Sequence, residues 1–155
     1  MQVNIKRLNE NAVIPTYAKH GDAGMDLTAT SKFYDDYGCV CYGTSLAFEI
    51  PIGYVGYVFP RSSNAKKDLI LSNSVGVIDS GYRGEVIFKF KRTFNVVDFG
   101  RVIEQGRGQT TLTNYDVGDR IGQIIIMPIP HIEFNEVDEL SSTDRGTGGF
   151  GSTDK

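Results

Sequence analysis

The sequence predicts an all-β fold of the jelly-roll barrel type, and three observations support this class. Glycine accounts for 18 of the 155 residues, well above the roughly 7% usual in globular domains, which is typical of many tight turns. Residues 85–91 alternate, with Val86, Phe88 and Phe90 on one face and charged side chains on the other. Further short apolar runs are separated by Gly, Pro, Asn or Asp, as in a sandwich or barrel.

Five of those runs predict strands in chain order, because each is short, apolar and bounded by turn-forming residues: Phe48–Ile50, Tyr54–Phe59, Leu69–Leu71, Val75–Ile78 and Ile121–Ile129. The connections Pro51–Gly53 and Val117–Asp119 predict turns. The segment Ala23–Leu27 is interpreted as a turn that carries Asp26. The one predicted helix is short, around Ser63–Lys67, and Ser62 or Ser63 is expected to cap it.

Two segments depart from this strand rhythm. Lys91–Asn114 has an apolar start and a polar centre, which predicts a loop or an extra hairpin. Ser141–Lys155 is rich in Gly, Ser and Thr and is expected to be disordered on composition alone. We therefore predict one jelly-roll domain over residues 1–140, with an extended loop or hairpin at about 91–114, and a mobile arm over 141–155.

Composition excludes several functional classes. The chain has 16 Lys and Arg against 19 Asp and Glu, a net charge of −3, so no basic field predicts nucleic-acid binding. No apolar run approaches the ~20 residues of a membrane helix, and residues 1–12 lack a secretory signal. Cys39 and Cys41 lie two apart in one extended segment, a poor spacing for a disulfide. We expect a cytoplasmic protein, or one of the host cytoplasm if the gene is viral.

The C-terminal stretch contains Gly146, Gly148 and Gly151 at the spacing of a dinucleotide-binding fingerprint. That fingerprint needs a preceding strand and a following helix, and the sequence predicts neither here. The remaining interpretation is an arm of backbone N–H donors, with Phe150 as a stacking surface, that wraps a nucleotide. The alternative is a solvated tail.

Two further segments carry chemistry. Pro60–Lys67 follows a strand and offers Arg61, two hydroxyls and backbone donors, which favours phosphate binding; the alternative is an ordinary helix cap beside a solvated charge run. In Val75–Glu85, Asp79 ends an apolar strand, where burial would tune it toward general-base catalysis, whereas the alternative is an Asx-turn. His20 and His131 have no partner at a metal or triad spacing.

Five ordered segments together resemble the motifs of the trimeric deoxyuridine triphosphatases (dUTPases): Ala23–Ala29, Pro60–Lys66, Gly76–Glu85, Gly118–Ile124 and Arg145–Thr153. The resemblance runs from about Val13 to the C-terminus. It implies a β-clip or jelly-roll barrel that forms a homotrimer with three shared active sites. Each site would take the third motif from one subunit, the first, second and fourth from a neighbour, and the fifth from the remaining subunit.

The resemblance also implies an activity: hydrolysis of dUTP to dUMP and pyrophosphate by water attack on the α-phosphorus, assisted by Mg2+. Asp79 would deprotonate the water, Tyr82 would lie under the deoxyribose, and Asp26 would hold waters of the metal ion. The implied catalytic residues are Asp79, Arg61 and Gln123. The implied substrate-binding residues are Arg61, Ser62, Ser63, Asn73, Gly76, Val77, Ile78, Asp79, Tyr82, Gln123, Arg145, Phe150, Gly151, Ser152 and Thr153.

Two alternative functions are considered, and the sequence differs from the family pattern at two places. A dCTP deaminase-like enzyme shares the fold, but Asp79 and Tyr82 fit the uracil hydrolase better. A nucleotide-gated binding protein would use the segment 91–114 to contact a regulatory partner. The stretch between Phe90 and Gly118 is longer than in compact members of the family. Gly122 stands where the family usually has alanine, which is expected only to loosen packing beside Gln123.

Overall fold

The computed structural model describes residues 1–93 and 113–149 of the chain. Within them lie ten strands: β1 Asn4–Arg7, β2 Met25–Thr28, β3 Ser31–Tyr34, β4 Val40–Gly43, β5 Leu46–Glu49, β6 Tyr54–Pro60, β7 Leu69–Leu71, β8 Gly76–Ile78, β9 Ile87–Arg92 and β10 Arg120–Pro128. A single 3₁₀ helix in these residues spans Ser62–Lys66. None of the helices in the described part of the chain is long and apolar enough to span a membrane.

All strand pairs are antiparallel and form three sheets. The strand orders are β2-β10-β6-β8 in one four-stranded sheet, β3-β4-β9-β7 in the other, and β1-β5 in a two-stranded sheet. One core joins the two larger sheets, since Leu27, Ile121 and Ile124 of the first cluster with Tyr42 and Phe88 of the second. Each such fully buried side chain contributes about 1.5–3 kcal/mol by leaving water.

The predicted strands are present, and the alternation of residues 85–91 is confirmed in β9, where Phe88 and Phe90 are buried and Lys89 is exposed. Both predicted turns are confirmed by positive φ angles at Gly53 and Gly118. The turn predicted at Ala23–Leu27 is wrong, because Asp26 lies inside strand β2. Strands β1 and β3 are mostly exposed, so they show little of the alternation between buried apolar and exposed polar residues that reveals a strand.

The short helix lies where the sequence predicts it, but its predicted caps are wrong. Ser62 and Ser63 lie within the helix, and the N-cap is Arg61, which makes no side-chain capping bond. The Arg61 carbonyl instead accepts the backbone N–H of Asn64 at 2.9 Å. Arg61 therefore has its guanidinium available for contacts outside the helix.

The long segment 91–114 falls largely outside the described residues, which stop at 93 and resume at 113. Its two ends both bond to Asp68: the Thr93 N–H donates to the Asp68 carbonyl at 3.0 Å, and the Asp68 N–H donates to the Thr113 carbonyl at 3.1 Å. The Thr113 N–H also donates to Asp68 Oδ2 at 2.7 Å. After β10, residues 131–140 are exposed and contain no strand.

Candidate functional site

The third segment forms the edge of a sheet and the turn that follows it. Strand β8 pairs with β6, with Gly76 opposite Val58. A Cβ at position 76 would lie 2.3 Å from Val58 Cγ2, so glycine permits the close approach of these strands. After β8, the Tyr82 N–H donates to the Asp79 carbonyl at 3.1 Å and closes a turn. The turn presents Asp79 directly beyond the end of the strand.

A cleft of about 410 Å³ lies beside this turn, and its lining includes Asn73, Ile78, Asp79, Tyr82 and Lys89. The structure thus brings together several residues to which the family resemblance gives roles in substrate binding or catalysis, among them Asn73, Ile78, Asp79 and Tyr82. The expected burial of Asp79 is not supplied by the described residues, among which Asp79 is exposed. Asp79 follows β8, a strand at the edge of its described sheet.

The Tyr82 ring is held across the turn by two contacts. Its phenol O–H donates to the Glu85 carbonyl at 2.9 Å. A Cβ at Gly84 would lie 2.4–2.9 Å from the phenol oxygen and ring atoms, so the ring lies directly over that glycine. Tyr82 is 44% exposed, and an aromatic face so fixed offers an apolar platform without a hydrogen-bond donor.

Three charged side chains line the cleft, Asp79, Glu85 and Lys89, and only Lys89 is a cation. Its ammonium donates to Asp35 Oδ2 at 3.2 Å. This hydrogen bond and the charge of Asp35 raise the pKa of Lys89 above its ordinary value. The pKa of Asp35 is lowered, chiefly by the Cys39 backbone N–H. Lys89 and Asp35 therefore form an ion pair beside the cleft.

A second group of predicted residues surrounds Asp26. Asp26 Oδ1 accepts from Arg61 Nε at 2.7 Å, and Oδ2 accepts from Arg120 Nη1 at 3.1 Å. Arg61 Nη1 also donates to Ser63 Oγ at 3.3 Å. Two guanidiniums thus share one carboxylate, and the cluster carries a net positive charge suited to a polyanion. The sequence places Arg120 in the fourth segment but did not single it out as a site residue.

Sheet register explains why three distant segments meet here. Strand β10 lies between β2 and β6, and Gln123 is opposite Asp26 on one side and Phe59 on the other. The Gln123 amide donates to the Pro60 carbonyl at 3.1 Å, immediately before Arg61. A Cβ at Gly24 would lie 2.5 Å from Gln123 Oε1, so that glycine leaves room for the amide.

The structure does not bring the two groups together within one chain. Ile78 is opposite Gly56 on β6, so Asp79 lies beside Val55, and both line a further cleft. Arg61 follows Pro60, the last residue of the same strand. At about 3.3 Å per residue, the distance from Val55 to Arg61 along the strand is about 20 Å. Asp79 and Arg61 of one chain are too far apart to act on one small molecule.

The fifth segment is described only in part. Arg145 is exposed, and its Nε donates to the Gly148 carbonyl at 3.1 Å. The Gly148 N–H returns a bond to the Arg145 carbonyl at 3.1 Å. The other predicted residues of the arm lie outside the described residues: Phe150, Gly151, Ser152 and Thr153.

Asp26 fits an indirect metal role better than a direct one. Within residues 1–93 and 113–149, no group of three or more His, Cys, Asp or Glu side chains could hold a metal ion. A carboxylate has about four acceptor positions, and the two arginines occupy one on each oxygen of Asp26. The remaining positions suit the waters that Mg2+ retains when phosphates supply its direct ligands.

Comparisons with known proteins agree with one another. The family model for dUTPase matches residues 10–102 and 107–154. The chain is 36% identical over 155 residues to a deoxyuridine 5'-triphosphate nucleotidohydrolase from Picosynechococcus sp., covering 99% of each chain.

Two solved structures are similar over most of the chain. A mutant dUTPase of Staphylococcus bacteriophage 80alpha, solved with dUpNHpp, is 25% identical with a TM-score of 0.74, and 98% of each chain is covered. A mutant dUTPase from phage phi11 of S. aureus, described as coordinating a structural Mg(II) ion, is 25% identical with a TM-score of 0.69, covering 90% of this chain and 98% of that one. These neighbours confirm the predicted all-β jelly-roll fold.

Proposed function

The chain belongs to the dUTPase family and is a dUTP diphosphatase, and we propose that Asp79 is the base of its reaction. Asp79 takes a proton from a water molecule as the water oxygen bonds to the α-phosphorus of dUTP. The bond from that phosphorus to the bridging oxygen breaks, and dUMP and pyrophosphate leave. The observation that carries this proposal is the exposed carboxylate of Asp79 in a cleft beside Asn73 and Tyr82.

Recognition of uracil and deoxyribose rests on strand β8 and its flanks. Because β8 is the edge strand of its described sheet, one side of its backbone faces away from β6. We propose that the N–H and C=O groups of Gly76, Val77 and Ile78, with the Asn73 amide, bind the uracil edge. The Tyr82 ring packs under the deoxyribose, where a 2′-hydroxyl finds no room and no partner.

Phosphate binding rests on the Asp26 cluster. Arg61, Ser62, Ser63 and Gln123 would donate to the phosphate oxygens, and charge neutralisation of this kind supplies most of the catalysis in phosphoryl transfer. Arg61 is the residue that would stabilise the charge developing on the leaving pyrophosphate.

Mg2+ would be held by the triphosphate, with Asp26 accepting hydrogen bonds from its waters. When bound, the ion neutralises phosphate charge. The chain's own contribution is the orientation of one carboxylate, held by Arg61 and Arg120 at its two oxygens. These two hydrogen bonds hold the Asp26 carboxylate in one orientation.

We further propose a homotrimer with shared active sites. The estimate of about 20 Å between Asp79 and Arg61 of one chain supports it, because a nucleotide can contact both only if they come from different subunits. Arg145, Phe150, Gly151, Ser152 and Thr153 would close over the nucleotide from the remaining subunit, as an arm 141–155 beyond a domain of residues 1–140. The cytoplasmic location and a regulatory partner at 91–114 stay predictions.

The test is pyrophosphate release from dUTP, UTP, dTTP and dCTP, with and without Mg2+. We expect release from dUTP alone at a high rate, and a loss without the metal. Ammonia release from dCTP would instead favour the deaminase.

The matching variant test is Asp79→Asn, with Asp36→Asn as control because Asp36 is also exposed but lies in the β3–β4 connection. Asp79→Asn should lower kcat by about 10²–10⁴-fold, the scale of a general base, and keep nucleotide binding. A rate near that of the control would show that Asp79 is not the base.

A further inference from the structure

Arg83 makes three contacts that the proposed reaction does not use. Its Nη1 donates to the Ser80 carbonyl at 2.6 Å and to the Tyr82 carbonyl at 3.0 Å, and its Nη2 lies 3.4 Å from Glu49 Oε1. We infer that Arg83 is a positioning residue that holds the turn carrying Asp79. This inference rests on the proposed role of Asp79 as the base.

The turn needs such a support because little packing holds it. Asp79, Gly81, Tyr82 and Arg83 are all exposed, and Gly81 and Gly84 give the backbone access to many conformations. The Tyr82 N–H bond to the Asp79 carbonyl closes one side of the turn. Arg83 donates hydrogen bonds to two further carbonyls of the turn, those of Ser80 and Tyr82. Hydrogen bonds rather than burial therefore determine where the Asp79 carboxylate points.

Arg83 is in turn anchored outside the turn. Glu49 ends strand β5, and its second oxygen accepts from Asn4 Nδ2 at 2.7 Å. Asn4 is directly opposite Glu49 in the β1–β5 pair. The Asn4 hydrogen bond, and then the charge of Arg83, lower the pKa of Glu49. The charged carboxylate of Glu49, on a strand paired with β1, thus holds the Arg83 guanidinium in place, and that guanidinium holds the turn.

The chemistry of arginine matters here, because its planar fork reaches two carbonyls and a carboxylate at once. A lysine would keep the charge and one contact at best. A glutamine would keep neither the charge nor the fork. We therefore expect kcat to decrease from the wild type to Arg83→Lys and then to Arg83→Gln. The kcat of Glu49→Gln should lie between those of the wild type and Arg83→Gln.

The experiment measures kcat and KM for dUTP, the Kd of dUMP, and Tm for Arg83→Gln, Arg83→Lys and Glu49→Gln. Arg7→Gln is the control, since Arg7 is exposed on β1 and bonds to no other described side chain. Arg83→Gln should lower kcat by about 10–100-fold, the scale of a small misplacement of a reacting group. KM, the Kd of dUMP and Tm should stay close to the values of the control.

A double variant separates positioning from direct contact with substrate. If Arg83 acts only through Asp79, Arg83→Gln should cost no more than about 2-fold in an Asp79→Asn background, because effects of coupled residues are not additive. A full additional loss there, or weakened dUMP binding, would overturn the inference, and so would an unchanged kcat in Arg83→Gln. If Arg83→Gln has a lower Tm than the wild type, the same comparisons of kcat, of the Kd of dUMP and of the effect in the Asp79→Asn background are made with Arg83→Lys. Rapid hydrolysis by Asp79→Asn would contradict the proposed function instead.

Discussion

Replacing Gly122 by alanine should destabilise the protein. Gly122 is buried in β10, opposite Pro60 of β6. An added Cβ would lie 2.1 and 2.3 Å from two ring atoms of Phe88, and 2.9 Å from the Phe59 carbonyl oxygen. The expected loosening of packing at this glycine is therefore wrong, because the Phe88 ring occupies the space beside it.

The magnitude follows from how little the neighbours can move. Phe88 is 1% exposed and stacks on Phe90 with ring centroids 6.2 Å apart, while the other contact is backbone. Overpacking of a filled core costs about 1–3 kcal/mol. For a chain of this size each kcal/mol corresponds to about 2–4 °C in Tm. We expect Gly122→Ala to lower Tm by several degrees and to raise KM, because Gln123 and Pro60 would shift with β10.

The assay is thermal unfolding followed by circular dichroism, together with steady-state hydrolysis of dUTP. Gly149→Ala is the control for thermal unfolding alone, since an added Cβ there meets nothing within 4 Å and position 149 belongs to the proposed arm. In a second step, Phe88→Leu is combined with Gly122→Ala, and the double variant should be more stable than the two single losses predict, because the smaller side chain relieves the clash. A Tm of Gly122→Ala equal to that of the control would refute the steric reasoning.

Three further predictions concern substrate selection, the arm 141–155 and the segment 91–114. Tyr82→Ala should narrow the preference for dUTP over UTP, whereas Tyr82→Phe should leave it nearly intact and lose only the bond to Glu85; equal preferences in both variants would contradict steric exclusion. A chain ending at Asp144 should bind dUMP and yet hydrolyse dUTP poorly, with Phe150→Ala intermediate in kcat/KM; full activity of the truncated chain would mean that the arm has no role. Replacing Glu104–Gly108 by a short Gly/Ser link should leave dUTP hydrolysis unchanged, and a loss of rate with the oligomer intact would assign that segment to catalysis.

The sequence predicts half-buried strands such as β9, but it does not predict β1, β2, β3 or β4, of which β4 is fully buried. Phe88 and Phe90 reveal β9 because one face of the strand meets the core and the other meets solvent. Strand β1 gives no such alternation, because in the described part of the chain it pairs only with β5 and is mostly exposed. Asp26 reads as a turn residue after Gly24, and only pairing with β10 places it in a strand.

The sequence singles out three residues of the Asp26 cluster but does not predict that they lie together. Arg61, Gln123 and Asp26 were identified from their segments, yet their meeting depends on the register of β10 between β2 and β6. The bond from Arg120 to Asp26 spans 94 positions, and no local pattern signals it. The roles of these residues, like the closing arm beyond position 149, stay predictions.

The separation of the two half-sites along β6 has a genetic consequence. In the proposed trimer, each chain contributes Asp79 to one active site and Arg61 to another. A chain that lacks one of these residues therefore inactivates only the site that needs that residue from it. A chain lacking Asp79 and a chain lacking Arg61, both inactive alone, would complement each other when coexpressed, because about a quarter of randomly mixed sites would receive both intact halves. Mixed trimers would then hydrolyse dUTP, and a cell that carries two inactivating alleles of this kind would keep part of the enzyme activity.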